Sequence, residues 1–330
     1  MVKRLFLGIV ASFVLAGIIG VRGAEAQQPK QVPRIAYVYI FKEGPSAPWV
    51  QAFRERLREL GWIDGQNIVV EVRDADGSFE KLDAIMRELV DSKVDLIVTA
   101  CTPEAKAAVK VTRVIPIVVA ATGDPVAAGL AASLARSGAN VTGVSSMELE
   151  LSAKRMALLK EAFPKMSRAT VLWNPGRLDN KPEVSAMQAA AQALGVRLDS
   201  QEVRTPVELA DALELLPATG TQAILNAGDP LLANQSSKLV AFAAKWRLPS
   251  LFENRIFVDQ GGLMSYGPNL PALHRRAADY VDKILNGAKP GDLPIEQPTR
   301  FELVINMRTA KALGFAIPKA FLVRADEVIQ

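Results

Sequence analysis

Five short stretches put small polar side chains where an apolar run gives way to a helix start. They are "TACTPEA" at 99–105, "ATGDPVA" at 121–127, "GVSS" at 143–146, "WNPG" at 173–176 and "NAGDPLL" at 226–232. These turns supply Thr102, Thr122, Asp124, Ser145, Asn174, Asn226 and Asp229. A helix start carries N–H groups without internal partners and the positive end of the helix dipole, so hydroxyls and amides there can hold a carboxylate. An aspartate on the facing side can hold an ammonium through charge-assisted hydrogen bonds. The chemistry is capture of a small polar or zwitterionic molecule. The same residue types before proline are also ordinary helix caps, with Thr102 expected as N-cap and Pro103 at the first helical position, and the sequence leaves both uses open.

Aromatic residues that could wall such a molecule are few. Trp49 follows the loop "FKEGPSAPW", and Trp173 ends the run before Asn174. Tyr266 stands in the glycine-bearing connector "GGLMSYGPN", where a hinge or ligand role and plain packing are equally open, and Phe252 and Glu253 close another apolar run. Catalytic sets are missing. The one histidine, His274, falls in a helix beside Arg275 and Arg276, where a solvated position is expected. The one cysteine, Cys101, reads as a small thiol at a strand end, and one His with one Cys does not complete a zinc site. No G-x-S-x-G, P-loop or G-x-G-x-x-G occurs, so neither enzyme activity nor a cofactor or metal is expected.

The elements that must position the turns alternate. Apolar strands such as "RIAYVYI", "VDLIVTA" and "IPIVVAA" are separated by amphipathic helices such as "FEKLDAIMRELVDS", with "PVAAGLAASLA" (125–135) also expected to be helical. Alternation with near-continuous apolar strands means a parallel sheet covered on both faces. The series restarts after a long helix near 149–162 with "RATVLWNPG", giving two similar lobes. "GDPVAAG" at 123 and "GDPLLAN" at 228 echo one another, though not necessarily on equivalent strands. The fold class expected is α/β, two doubly wound parallel-sheet lobes joined by a three-segment hinge. The first lobe takes residues 27–146 with 265–296 and the second 147–264 with 297–330. Ligands of such sheets sit beyond the carboxyl ends of the strands, and hinged lobes can close over them.

Residues 1–26 stand apart. Lys3 and Arg4, an apolar run from Leu5 to Val21 and "AEA" at 24–26 have the order of a cleavable secretory signal peptide. Its loss removes Lys3, Arg4, Arg22 and Glu25, lowering the formal charge from +4 by two and leaving little support for nucleic-acid binding. With one cysteine the chain has no internal disulfide.

The stretches "LRELGWIDGQNIVVEVRDADG", "VDLIVTACTPEAKAA", "IPIVVAATGDPVAAGLAASLARSGANVTGVS", "RMALLKEAFP", "GGLMSYGPN" and "RRAADYVDKILNGAKPGDLPIEQPTRFELVINMRTAKALGF" resemble the TrpX-like substrate-binding proteins of ABC transporters, with the type I periplasmic-binding fold. The resemblance implies a periplasmic receptor, acting as a monomer, that binds a small molecule and hands it to an inner-membrane ABC permease with its cytoplasmic ATPase. Aromatic or other hydrophobic amino acids are the implied ligand class. Carried over by position, the family pattern marks Thr102, Thr122, Asp124, Ser145, Asn174 and Asp229. The zwitterion arrangement expected is a carboxylate near Thr102 and Thr122 with an ammonium at Asp229. A neutral solute such as a sugar, or a sensor that presents its ligand to a membrane signalling protein, are the alternatives on the same fold.

Overall fold

The computed structural model describes residues 32–41, 47–177 and 179–330, so the expected leader lies outside the described residues. The chain starts with β1 (Arg34–Tyr39), α1 (Pro48–Glu59), β2 (Val69–Asp74), α2 (Phe79–Asp91), β3 (Leu96–Cys101), α3 (Thr102–Val111), β4 (Ile117–Thr122) and β5 (Val141–Ser145). It continues through α4 (Glu148–Ala162), β6 (Arg168–Trp173), α5 (Asn180–Ala193), β7 (Arg197–Glu202), α6 (Pro206–Leu215), β8 (Ile224–Asn226), α7 (Pro230–Asn234), α8 (Ser236–Lys245), β9 (Ser250–Phe252), α9 (Arg255–Asp259) and β10 (Met264–Pro268). The last segment holds α10 (Leu270–Leu285), β11 (Ile295–Glu296), β12 (Phe301–Asn306), α11 (Met307–Leu313), α12 (Lys319–Leu322) and β13 (Glu327–Ile329). No described helix is long and apolar enough to cross a membrane.

Two sheets result. One has the order β11-β5-β4-β3-β1-β2 and the other β13-β12-β10-β9-β8-β6-β7. Within them β2-β1-β3-β4-β5 and β7-β6-β8-β9-β10 repeat one parallel topology, and only β10–β12 is antiparallel. The inner strands are apolar on both sides because each sheet is covered twice, while the edge strands β2 and β7 carry polar, partly exposed residues. Ile35, Tyr37 and Tyr39 of β1 pack with Phe53 of α1 and Tyr280 of α10, while Ala36 and Val38 pack with Leu82 and Met86 of α2. In the second sheet Val171 packs with Met156 and Met187, and its neighbour Leu172 with Leu239 and Phe257. The chain passes between sheets after β5, after β10 and after β11, which makes three crossings.

Two sequence expectations change, and a point the sequence left open is settled. Residues 265–268 were assigned to the first lobe, but Met264–Pro268 pairs with β9 and β12 in the second sheet, so the chain leaves that sheet only after Pro268. The ladder to β12 is what holds it there. Residues 125–135 form turns rather than a helix: Gly129 takes a φ of 73° and Asp124 closes the first turn through its carbonyl to Ala128 N at 2.9 Å. The two "GDP" turns follow β4 and β8, which hold different places in the repeated topology.

One glycine sets the geometry that follows. Gly143 has φ 140°, and a Cβ there would lie 2.0 Å from the carbonyl oxygen of Val119 on β4. The register of β4 against β5 shifts just beyond this approach, between Val119 and Thr122, and brings Thr122 opposite Ser145. Only glycine permits so close a backbone contact at that φ.

Candidate functional site

The carboxyl ends of both sheets face a shared cavity. Its first wall comes from Phe41 after β1, Cys101 and Thr102 after β3, Gly123 after β4 and Ser146 after β5, with His274 of α10. The second comes from Arg177 after β6, Gly228 and Asp229 after β8, and Glu253 and Asn254 after β9. In each sheet the strand order reverses beside the first strand of its unit, the usual place for a ligand in an open α/β sheet.

The first wall is largely apolar. Trp49, the second residue of α1, is buried and meets Phe41 edge-on at 5.8 Å between ring centres and His274 at 6.4 Å. His274 is buried, which corrects the solvated position expected for it. Burial pushes its pKa down to about 3, so the ring is neutral. Its Nδ1 lies 2.5 Å from the Tyr37 hydroxyl. Burial raises the Tyr37 pKa, and no other acceptor for this hydroxyl occurs among the described residues. Tyr37 therefore donates to Nδ1 and leaves the proton on Nε2. The signal was present in the sequence: His274 shares the helical spacing of Leu273, Ala277, Ala278 and Val281, all buried.

At the α3 start the expected cap is displaced by one residue. Cys101 is the N-cap and Thr102 the first helical residue, and Glu104 at the third position turns back over the helix start. The Glu104 carboxyl is wholly buried; its Oε1 accepts from Ile40 N at 2.8 Å, and Oε2 accepts from the Cys101 thiol at 2.8 Å. Burial raises its pKa to about 7, against the pull of the Cys101 thiol and of the backbone amides of Glu104, Ile40 and Cys101. The protein's own buried acid thus sits over the helix start, and Pro103 has no amide to offer a ligand. Thr102 Oγ1 instead accepts from Gly123 N at 3.1 Å and lies 3.2 Å from Thr122 Oγ1, tying the turns after β3 and β4 together.

The second wall is charged. Arg177 donates through Nε to Asp179 Oδ1 at 3.1 Å, through Nη2 to Asp179 Oδ2, and through Nη1 to the Gly228 carbonyl at 2.8 Å. Every arm of the guanidinium is engaged inside the protein. Asp229 accepts from Leu231 N at 2.7 Å and from Asn174 Nδ2 at 3.2 Å. Burial raises the Asp229 pKa although the Arg177 charge opposes it. Glu253 accepts from Asn226 Nδ2, and burial followed by the nearby Glu148 charge pushes its pKa up to about 8. Glu148 pairs at 2.7 Å with Arg155, whose side chain is fully buried and whose Nε donates to the Tyr266 carbonyl at 2.8 Å.

Of the sequence candidates, the structure brings Trp49, Thr102 and Asp229 to the cavity wall. Thr122, Ser145, Asn174 and Asn226 lie one shell behind: Ser145 Oγ donates to the Gly123 carbonyl at 2.9 Å, and the others hold Thr102, Asp229 and Glu253. Asp124 caps Val126 N and Ala127 N at 2.9 Å and does not line the cavity. Tyr266 is also away from it, packed toward Phe301 with ring centres 6.3 Å apart. Ser146, offered by the "GVSS" turn together with Ser145, does reach the wall, whereas Glu148, Arg177 and Asn254 escaped the sequence reading; these three follow strand ends by two to four residues, and no local pattern marks which loop residue turns inward.

Two α/β lobes with one repeated topology and a cavity between their strand ends define a two-lobe solute-binding fold. The family model for "ABC transporter substrate binding protein" matches residues 35–329, and the chain belongs to that family. It is a family of substrate-binding proteins rather than enzymes. The tyrosine-binding protein of Clostridioides difficile strain R20291 is 28% identical over 263 residues, covering 80% of this chain and 75% of that protein. A Streptococcus pneumonia ABC domain in complex with L-Trp matches with TM-score 0.83 and 25% identity, over 90% of this chain and 99% of the other. A ligand-free, open substrate-binding protein with adhesive properties from Clostridium difficile matches with TM-score 0.66 and 26% identity, over 91% of this chain and 99% of the other.

Proposed function

We propose that this chain is the capture subunit of an ABC importer, working outside the cytoplasm behind a cleaved leader, and that it binds an amino acid with an aromatic or hydrophobic side chain. The observation that carries this reading is the charge balance of the cavity. Glu148, Asp229 and Glu253 all border it; Glu148 is paired with Arg155, and the one cation among the described wall residues, Arg177, is held by Asp179 and Gly228, which leaves the Asp229 and Glu253 carboxyls without a bonded cation. A cavity with surplus carboxyl groups on one side and Trp49, Phe41 and neutral His274 on the other suits an ammonium joined to an apolar group. The ammonium sits beside Asp229 and Glu253, and the side chain lies against Trp49. The carboxylate takes neutral donors, Thr102 and Asn254, beside the helix start that Glu104 covers. The ligands named for the two relatives above, tyrosine and L-Trp, are of this class.

The lobes adopt the closed arrangement in this reading. At nearly equal identity, the chain superposes better on the L-Trp complex than on the open, ligand-free protein. Closure follows from a ligand that binds the closed state more tightly than the open one. The test is a thermal-shift screen of the amino acids, simple carboxylates and sugars. A solute at about 100 times its Kd stabilises by roughly 2.7 kcal/mol. Aromatic or large aliphatic amino acids should raise the melting temperature, and Asp229→Asn should abolish most of that shift. A screen in which sugars stabilise and no amino acid does would overturn the reading.

A further inference from the structure

We propose that Gly123 and the ion pair of Arg177 with Asp179 form a latch that seats the second lobe on the first and sets how tightly the cleft shuts. The proposal rests on the receptor reading above but concerns closure rather than the ligand.

Gly123 belongs to the turn after β4. Unlike Gly143, it has no left-handed φ, so its backbone does not call for glycine. What calls for it is space. A Cβ at this position would lie 3.0 Å from Asp179 Oδ2, 3.9 Å from Asp179 Cγ and 3.8 Å from Arg177 Nη2. All three atoms come from the opposite lobe. The missing side chain is a notch, and the Asp179 carboxylate fills it.

The part that fills it is preformed. Asp179 is 3% exposed and is gripped by both arms of the Arg177 fork. Arg177 Nη1 and Asn180 Nδ2 donate to the same Gly228 carbonyl, at 2.8 and 3.0 Å, which pins this loop to the turn after β8. A bidentate guanidinium–carboxylate pair has a fixed planar geometry, so it can act as a rigid wedge. Lys106 of α3, on the first lobe, lies near enough for its charge to favour the Asp179 carboxylate. A second contact across the cleft, Asn234 Nδ2 donating to the Ile40 carbonyl at 3.3 Å, closes another point of the rim. Arg177 is then a positioning residue, and its charge is spent on the protein rather than on the ligand.

The experiment compares wild type, Gly123→Ala, Asp179→Ala and the double variant. It measures L-tyrosine and L-tryptophan dissociation rates and equilibrium affinity, with the radius of gyration from small-angle scattering at saturation. Gly123→Ala should weaken binding by about tenfold or more, nearly all of it in the dissociation rate, and should stay more expanded than wild type with ligand present. In the double variant the collision is gone, so it should bind no worse than Asp179→Ala alone, a non-additivity of the kind contacting residues show. Wild-type closure and affinity in Gly123→Ala would overturn the latch. So would penalties that simply add, because they would mean that Gly123 meets the ligand itself. Failure of wild type to bind either amino acid would count against the receptor's assigned ligand class instead. The same four proteins are then compared with whichever solute raises the wild-type melting temperature in the broad screen.

Discussion

Replacing Arg155 by methionine should be among the most damaging single changes in the second lobe. The Arg155 side chain is fully buried; its Nη2 meets Glu148 Oε2 at 2.7 Å and its Nε the Tyr266 carbonyl at 2.8 Å. Glu148 starts the helix after the first crossing, and Tyr266 lies in the strand before the second, so one side chain braces two hinge segments. Methionine keeps most of the volume but leaves a carboxylate of 12% exposure without its cation. Breaking a buried pair from one side costs about 3–5 kcal/mol, a large part of the roughly 5–15 kcal/mol by which a folded protein is stable. At roughly 2–4 °C per kcal/mol for a domain of this size, the melting temperature should fall by about 6–20 °C. Urea denaturation followed by circular dichroism reads the loss directly. Adding Glu148→Gln to Arg155→Met removes the orphaned charge and should recover about half of the loss or more. Arg155 Nη1 is buried with no partner among the described residues, so part of its desolvation is already uncompensated and the double variant gains by shedding it. A single variant that loses less than about 1 kcal/mol, far below the usual cost of an orphaned buried charge, would refute the bracing role. Strictly additive losses would refute the pairing.

Gly143→Ala should fold poorly or lose more than about 4 kcal/mol, because its Cβ would overlap the Val119 carbonyl at 2.0 Å; soluble yield and melting temperature check this, and a wild-type melt would contradict the close approach. Stability should also depend on pH with a definite sign. Glu104 and Glu253, raised from 4.5 to about 7 and about 8, hold protons more tightly when folded than unfolded. Their contribution is complete below about pH 4.5 and is lost as pH rises through 7 to 8, each at up to about 1.4 kcal/mol per pH unit. His274, lowered from 6.5 to about 3, acts in the opposite sense, and its contribution is lost as pH falls from about 6.5 toward 3. Melting temperature should therefore decline between pH 5.5 and 8, and Glu253→Gln should flatten that decline; an unchanged slope would show that Glu253 titrates normally.

The alternation of apolar strands and amphipathic helices made both sheets legible, because a parallel sheet covered on both faces admits few other patterns. The turns that carry the cavity were legible for a related reason: Thr102, Gly123 and Asp229 end strands, where chain direction alone decides which side they reach. What stayed hidden depends on tertiary contacts. The turn at 99–105 has the right residue types for an anion site, yet Glu104 folds its buried carboxyl back over the helix start, onto Ile40 N and the Cys101 thiol. Residues 125–135 have helical composition but meet Gly129 at positive φ. Arg177 and Asp179 sit in a loop with no periodicity, and their importance comes from a glycine more than fifty positions away in the other lobe. Tyr266 looked like a hinge residue, and its backbone is indeed tied to Arg155, but its ring packs outside the cavity.

The receptor reading meets its most direct test in calorimetric titration of the protein with L-tryptophan, tryptamine and indole-3-propionate. The carboxyls of Asp229 and Glu253, with Arg177 already held by Asp179 and Gly228, require that the amine matter more than the acid. L-Tryptophan should bind one to one with a negative heat-capacity change from apolar burial, tryptamine should bind more weakly, and indole-3-propionate should give no saturable heat. Saturable binding of the propionate with none of tryptamine would mean that the cavity reads the carboxylate first, and the charge argument would be wrong.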